Sequence, residues 1–337
     1  MKKRNFRMDK KKKWKIYEAR WKFRDFYFRK VLQRHIFEKY FHYDLCMPRF
    51  AHKWIMSAKS ANEWLYEKIL SGEPFMAARF GNTELSVITT VLKNRICGRS
   101  KENDERFDKW FPRLSVYSGF FPVKNELADA FTDLMLDACK SVDLLGMWHC
   151  HMEDFVIEEY LPQADLTFLF RLEPWRCPSP WSRALKGKKV LVIHPFEKSI
   201  RKQYQKRELL FPGTEVLPEF EILTLKAVQT VAGERDERFE TWFDALDYMY
   251  QEALKKDFDI AIIGCGAYGF PLAAKLKEAG KQAIHLGGVT QIMFGIKGKR
   301  WVESPTYRFS FNEAWEYPLE SERPDSSQKV EESCYWK

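Results

Sequence analysis

Hydrophobic positions along this chain follow two different periods. Near the start, Trp14, Tyr17, Trp21, Phe28, Leu32 and Ile36 recur at helical spacing with Lys and Arg between them, which predicts a basic, aromatic-rich helical segment over residues 1–45. From about residue 50 short apolar runs alternate with amphipathic stretches. SANEWLYEKILSG predicts a helix that starts near Ser60 or Asn62 and stops at Gly72. PFMAARFG then reads as a strand and TELSVITTVLKN as a helix, followed by the helix ELADAFTDLMLDACKS and the strand VDLLGMW. KKVLVIHPF is a strand of the fully buried type, bracketed by Gly187 and Pro195. After it come the helix SIRKQYQKRELLF, the strand EFEILTLKAV, the long helix RFETWFDALDYMYQEALKKD, the strand FDIAIIGCG, the helix GFPLAAKLKEAG and the strand KQAIHLGG. Six strands alternating with helices argue an α/β fold with a mainly parallel sheet covered on both faces. The expected organisation is a basic helical segment (1–48), a catalytic-sized α/β body (49–318) and a loose, mostly polar tail (319–337).

In such sheets ligands sit beyond the carboxyl ends of the strands. The six predicted strands are followed there by Arg79-Phe80-Gly81-Asn82-Thr83-Glu84, by His149-Cys150-His151, by His194-Pro195-Phe196, by Gln229 to Gly233, by Gly264 to Gly269 and by Gly287 to Gln291. Polar groups and glycines therefore collect at one rim, as a phosphate-bearing ligand would require. GCGAYG (264–269) satisfies G-x-G-x-x-G between a strand and a helix, where backbone amides can approach a phosphate. A dinucleotide site also wants an acid ending the next strand; that strand ends IHLGG, which argues against NAD. Tight helix–strand packing is the competing explanation for Gly266 and Gly269. His149 and His151, two residues apart and with no second pair at zinc spacing, read as structural. Ser199, Gln203, Lys206 and Arg207 share a helical face with His194 at its entry, so these cations could steady a diphosphate; for Lys202 and Lys206 a solvated face is the simpler reading. In the first rim segment, Gly81 lets the chain turn, Glu84 can hold a cation or a sugar hydroxyl, and Arg79 can reach an anion. The alternative is a buried Arg79–Glu84 pair with Asn82 or Thr83 capping the helix.

Composition changes this picture in one respect. The chain has 337 residues and a net charge of +9, but residues 1–34 carry fifteen Lys and Arg against three acids, leaving the remainder slightly acidic. A segment with Trp on one side and Lys and Arg on the other suits an anionic headgroup interface or packing on the body. Nucleic acid is disfavoured, because the body adds no basic surface to such a contact. The seven cysteines are scattered with no CxxC pair, which fits reduced thiols. The basic start MKKRNFRMDKKKKWK leads into no apolar run of secretory type, and no stretch has spanning length. These features predict a cytoplasmic chain, peripheral at the inner membrane face.

The run Arg79-Phe80-Gly81-Asn82-Thr83-Glu84-Leu85 resembles the strand-to-helix motif of the GT-D fold glycosyltransferases, R-x-G-D-G-E, and DIAIIGCGAYGFPLAAKLKEAGKQAIHLGG resembles that family's final Gly-rich unit. The resemblance covers roughly residues 60–300 and not the basic start. It implies a Rossmann-like domain that transfers a sugar from a nucleotide diphosphate sugar to a glycan or lipid-linked glycan acceptor, in surface polysaccharide or glycoprotein assembly. It further implies catalytic roles for Glu84 and His194, with Arg79, Gly81, Asn82, Thr83, Gln229, Gly264, Gly266, Ala267, Tyr268, Gly269 and Gly288 around the donor. The family's D-x-E motif serves a metal-bound nucleotide sugar, which would make Glu84 a ligand of Mn2+ or Mg2+. Here Asn82 stands in place of the Asp and Thr83 in place of the second Gly; an amide oxygen carries no net charge, so Arg79, His194 and the loop amides are the alternative partners for the diphosphate. Glu153, Asp154 and Glu234 are further candidates for a catalytic base. A non-catalytic nucleotide-binding or glycan-assembly module that docks through the basic helix is the rival reading.

Overall fold

A computed structural model describes residues 9–26, 48–304, 306–307, 311–330 and 333–337. Its centre is a seven-stranded sheet in which every pairing is parallel. The strands are β3 (Phe75–Ala78), β4 (Leu144–Met147), β5 (Asp165–Phe168), β6 (Lys189–His194), β7 (Glu221–Lys226), β8 (Ile260–Ile263) and β9 (Gln282–His285); a short antiparallel hairpin, β1 (Arg49–Phe50) and β2 (Lys53–Trp54), precedes them. The spatial order is β5-β4-β3-β9-β8-β6-β7. Four of these strands are buried at every position, as expected of strands covered on both faces. Alternation along β3, β6 and β8 assigns side chains to two cores: Met76, Ala78, Leu191, Ile193, Ala261 and Ile263 join one apolar cluster, and their neighbours Phe75, Ala77, Val190, Val192, Ile260 and Ile262 the other.

The described helices are α1 (Lys10–Phe26), α2 (Ala58–Ser71), α3 (Asn82–Cys97), α4 (Lys101–Ser118), α5 (Glu126–Ala138), α6 (Glu153–Tyr160), α7 (Glu197–Tyr204), α8 (Arg207–Leu210), α9 (Trp242–Leu254), α10 (Gly269–Glu278), α11 (Thr290–Met293) and α12 (Lys299–Val302). The Rossmann-like α/β expectation holds, with corrections. A seventh strand, β5, lies at one edge; its short apolar run merges into LFRLEPW, which masks a strand's limits. α2 begins one turn earlier than expected, because the Ser57 hydroxyl accepts the amide of Ser60, while Gly72 ends it in the left-handed conformation (φ 73°). α4 and α6 have no counterpart in the sequence reading.

The part of the basic segment that is described packs on the body. Trp14 and Tyr17 are buried and meet Phe155 of α6 edge-on, at 4.7 and 5.7 Å between ring centres. Around them Lys13 pairs with Glu158 and Glu159, Arg24 with Asp154 and Lys93 with Glu18. The Trp face within residues 10–26 is therefore core, and the exposed face is the lysine-rich one. Phe28, Leu32 and Ile36 lie outside the described residues.

The expectation of a loose tail is corrected. Val330, Cys334 and Trp336 are buried among apolar residues, and the Glu322 carboxylate accepts the amides of Lys198 and Ser199 at 2.7 and 3.2 Å, at the positive N-terminus of α7. The helical face expected to hold a diphosphate instead meets Gly295, residues 314–316 and Glu322. Ser199 donates to Glu322, the Gln203 amide donates to the carbonyls of Gly295 and Ala314, and Lys202 and Lys206 pair with Glu316. Arg207 is turned to Glu208 and Glu219. A few apolar residues in a polar stretch were enough to anchor it.

Truncating Trp14 to Ala removes a fully buried indole, and urea denaturation should show a loss of about 3–5 kcal/mol. A change below about 1 kcal/mol, the surface-substitution range, would mean that α1 is not part of the body.

Candidate functional site

Parallel strands deliver their turns to one edge, and at that edge a cleft of about 490 Å³ opens, within the size range of small-molecule sites. It reaches from the turn after β4 to the turn after β7. Of the residues singled out in the sequence, Arg79, Gly81, Asn82, Thr83, Glu84, His194, Gln229, Gly264, Gly266, Tyr268 and Gly288 line it; Ala267 and Gly269 do not. The separation in sequence between Glu84, His194 and the Gly-rich loop is thus closed by the fold.

The first turn is built around Gly81. A Cβ placed there would lie 1.7 Å from a Glu84 carboxylate oxygen, so the missing side chain is what allows Glu84 to fold back over the start of α3. Gly81 itself is the N-cap, without a side-chain cap bond, so neither Asn82 nor Thr83 caps the helix. Nor do Arg79 and Glu84 form an ion pair: neither has an ion-pair or hydrogen-bond partner among the described residues. Arg79 lies with its guanidinium 4.9 Å from the Trp148 ring centre and its Nε buried and unbonded. Glu84 is 7 % exposed and is the one carboxylate among the described residues lining the cleft. A half-buried guanidinium without a counter-charge is costly unless an anion completes it.

The three glycines of G-x-G-x-x-G answer to protein neighbours. A Cβ on Gly264 would lie 2.6 Å from the Gly287 carbonyl oxygen, one on Gly266 (φ +59°) 2.8 Å from that of Ser118, and one on Gly269 2.2 Å from the His285 ring. Close packing is therefore sufficient reason for each. Tyr268 stacks on Trp242 at 4.9 Å and bonds Thr230 Oγ1 at 3.0 Å, and burial pushes its phenol upward.

His194 is a buried, neutral imidazole. Burial lowers its pKa to about 3, and Nδ1 accepts the Phe196 amide at 3.0 Å, which leaves Nε2–H as the donor. It offers the cleft a hydrogen bond and no positive charge, and its occupied Nδ1 is not free to act as a base. His285, also lining the cleft, is lowered to about 3 by burial and by the neighbouring Arg79 charge.

The other expected bases lie elsewhere. Glu153 is fully buried, raised to about 7 by desolvation, and holds the turn after β4 by accepting the amides of Trp148 and Cys150 at 3.2 and 3.0 Å. That turn places Trp148, whose indole N–H donates to the Phe80 carbonyl at 3.0 Å. Asp154 is paired with Arg24, and Glu234 accepts from Ser326. His151 is half-buried beside Thr89 and Trp21, its pKa well below the ordinary value through desolvation and the Arg106, Lys93 and Lys22 charges.

Among the described residues no preformed divalent-cation site is built from protein side chains alone. No three His, Cys, Asp or Glu side chains gather at binding distance among the described residues, and beside Glu84 the cleft offers the neutral Asn82 and the cations Arg79 and Arg300.

Sequence reasoning missed Trp148, Arg300, Tyr335 and Trp336. Trp148 was read as the last residue of the predicted strand VDLLGMW, whereas the strand ends at Met147 and Trp148 opens the turn. The other three come from segments with no periodicity, brought in by tertiary packing.

Neutral burial of His194 and His285 has a pH consequence. Their folded pKa lies below the ordinary 6.5, so the stability they contribute is complete above pH 6.5 and is lost as pH falls towards 3. The melting temperature should decline through that window, and His194→Asn or His285→Asn should flatten the decline. Imidazole 15N spectra should show His194 as the Nε2–H tautomer at pH 5, still unprotonated.

No family model matches the chain, and no curated protein matches it. Two solved structures are similar to it. One, described as the highly conserved domain of unknown function 1792 with a distinct glycosyltransferase fold, aligns over 81% of this chain and 93% of its own at 15% identity, with a TM-score of 0.41. The other, a selenomethionine-substituted form of domain of unknown function 1792, aligns over the same shares at 16% identity, with a TM-score of 0.40.

Proposed function

We propose that the protein is a glycosyltransferase that takes a sugar from a nucleotide diphosphate sugar. The observation that carries this reading is the pairing of opposites in one cleft: Arg79, a guanidinium without a counter-charge among the described residues, and Glu84, the one carboxylate among the described residues lining it, on the same strand-to-helix turn. Arg79 suits a diphosphate, which a guanidinium binds through charge-assisted hydrogen bonds. The Nε2–H of His194 would add a neutral donor to the same oxygens. As the sugar leaves, negative charge grows on the diphosphate, and donors fixed in place beforehand stabilise that charge. Glu84 is the residue to accept the proton of an acceptor hydroxyl or to hold the sugar for attack. No step is assigned to a metal.

The acceptor in this reading is a glycan or a lipid-linked glycan, in surface polysaccharide or glycoprotein assembly. A lipid-linked acceptor would be met at an anionic cytoplasmic membrane surface by the exposed lysines of α1, such as Lys11, Lys15 and Lys22. The rival non-catalytic module would dock through the same helix, but its Trp face is occupied by the body, so no observation favours it.

A thermal-shift screen of nucleotides and nucleotide sugars should give its largest shift with a diphosphate sugar. For that donor, Glu84→Gln should lower turnover about 100-fold or more while donor affinity stays within a few-fold, the signature of a general base. Arg79→Ala should weaken donor binding instead. Donor binding with equal turnover in wild type and Glu84→Gln would remove Glu84 from the chemistry. Replacing Lys11, Lys15 and Lys22 with Glu should reduce co-sedimentation with anionic vesicles; unchanged binding would remove α1 from the membrane contact.

A further inference from the structure

One wall of the cleft draws in Arg300, Tyr335 and Trp336, residues outside the predicted motifs. Phe196, Tyr268 and Trp336 line it but are at most 3 % exposed, and the Trp148 ring lies against the Arg79 guanidinium. Tyr335 is half-buried and lies at the cleft wall. It is held there by its neighbours: the amides of Lys299 and Arg300 donate to the carbonyls of Trp336 and Cys334 at 2.8 and 3.0 Å, tying α12 to residues 333–337. Trp301 and Trp336 meet the Tyr335 ring at 5.5 and 5.9 Å. The Arg300 guanidinium lies 4.9 Å from that ring centre and donates to the Tyr335 hydroxyl at 3.2 Å.

The turn after β9 explains how this wall meets the anion site. Gly287 and Gly288 are consecutive positions without side chains. A Cβ on Gly287 would be 3.4 Å from Arg79 Cδ, and one on Gly288 would be 2.8 Å from Tyr335 Cε1. The two glycines therefore let Arg79 and Tyr335 each pack against adjacent residues of one turn. We infer, on the basis of the transferase reading above, that the Arg300–Tyr335 wall recognises the nucleoside end of a nucleoside diphosphate, with the diphosphate passing between Arg300 and Arg79. An aromatic ring offers a base or ribose an apolar face, and a guanidinium beside it offers the adjoining phosphate a charged donor. This orientation directs the sugar away from Tyr335, towards the Arg79–Glu84 turn, where the chemistry is assigned. It also gives the glycine pair a reason: a side chain at position 288 would push the ring off its seat.

Isothermal titration of the full chain with ADP, CDP, GDP and UDP, and separately with inorganic pyrophosphate, tests the assignment. Tyr335→Ala should weaken the best-bound nucleoside diphosphate about tenfold, in line with loss of one base–aromatic contact, and leave pyrophosphate affinity within twofold. Tyr335→Phe should bind nearly as wild type, and Gly288→Ala, which displaces the ring without truncating it, should behave like Tyr335→Ala. Unchanged melting temperatures check that the variants fold, and Tyr335→Phe supplies a folded reference if the alanine variant does not. Nucleoside diphosphate binding by wild type that is unaltered in Tyr335→Ala and Gly288→Ala overturns this inference and leaves the transferase reading standing. An equal loss of pyrophosphate binding in Tyr335→Ala overturns the nucleoside assignment. Failure of wild type to bind any nucleoside diphosphate overturns the transferase reading, and this inference with it.

Discussion

Seven strands that all point the same way impose one constraint on everything else in this protein: the turn leaving each strand must emerge at the same edge of the sheet. Neighbouring strands stand about 4.8 Å apart, so turns separated by a hundred or more residues become neighbours there. β3 and β9 are paired, Phe75 with Gln282, and this pairing sets Arg79 against Gly287. β8 and β9 are paired in turn, which brings Gly264 against the carbonyl of Gly287. The cleft is a consequence of strand direction and order, and its residues are those that the order places side by side.

Within that edge, glycines decide what may approach what. Gly81 makes room for the Glu84 carboxylate, Gly269 for the His285 ring, Gly287 for Arg79 and Gly288 for Tyr335. Each removes a Cβ so that a chemically active side chain can lie against backbone. The Gly-rich loop therefore has a packing role whatever ligand the cleft takes. Charge among the described residues of the cleft is correspondingly sparse: the two buried imidazoles are neutral, which leaves the guanidiniums of Arg79 and Arg300 and the Glu84 carboxylate as the charged side chains of that described lining. Low dielectric around them strengthens whatever they bind.

The two flanking segments are integral to this arrangement. α1 contributes Trp14 and Tyr17 to the apolar cluster on one side of the sheet, while Val330, Cys334 and Trp336 join the cluster on the other. Glu322 at the N-terminus of α7 and the two backbone bonds between α12 and residues 333–337 fix the second segment at the cleft. The body between them would leave apolar surface uncovered on both faces without them.

The order of strands and helices, the buried character of β6, and the collection of polar turns at one rim were legible in the sequence, because apolar runs of four to six residues between amphipathic stretches carry their own period. The turn at Arg79–Glu84 was legible too, since a Gly followed by Glu at a helix start is a local signal. What lay beyond reach depends on contacts with no local period. The edge strand β5 has its apolar run continued by the next residues, so nothing marks its end. The α7 face that looked like a cationic rim is covered by Glu316 and Glu322, and the tail that looked loose is anchored through Trp336, outcomes set by partners more than a hundred residues away. The sequence by itself determined which residues could meet at the edge of a parallel sheet; tertiary packing alone decided that Arg79 would have no counter-charge among the described residues, that His194 would be neutral, and that Tyr335 would line the same cleft, because burial and long-range contacts, not residue type, set charge and position.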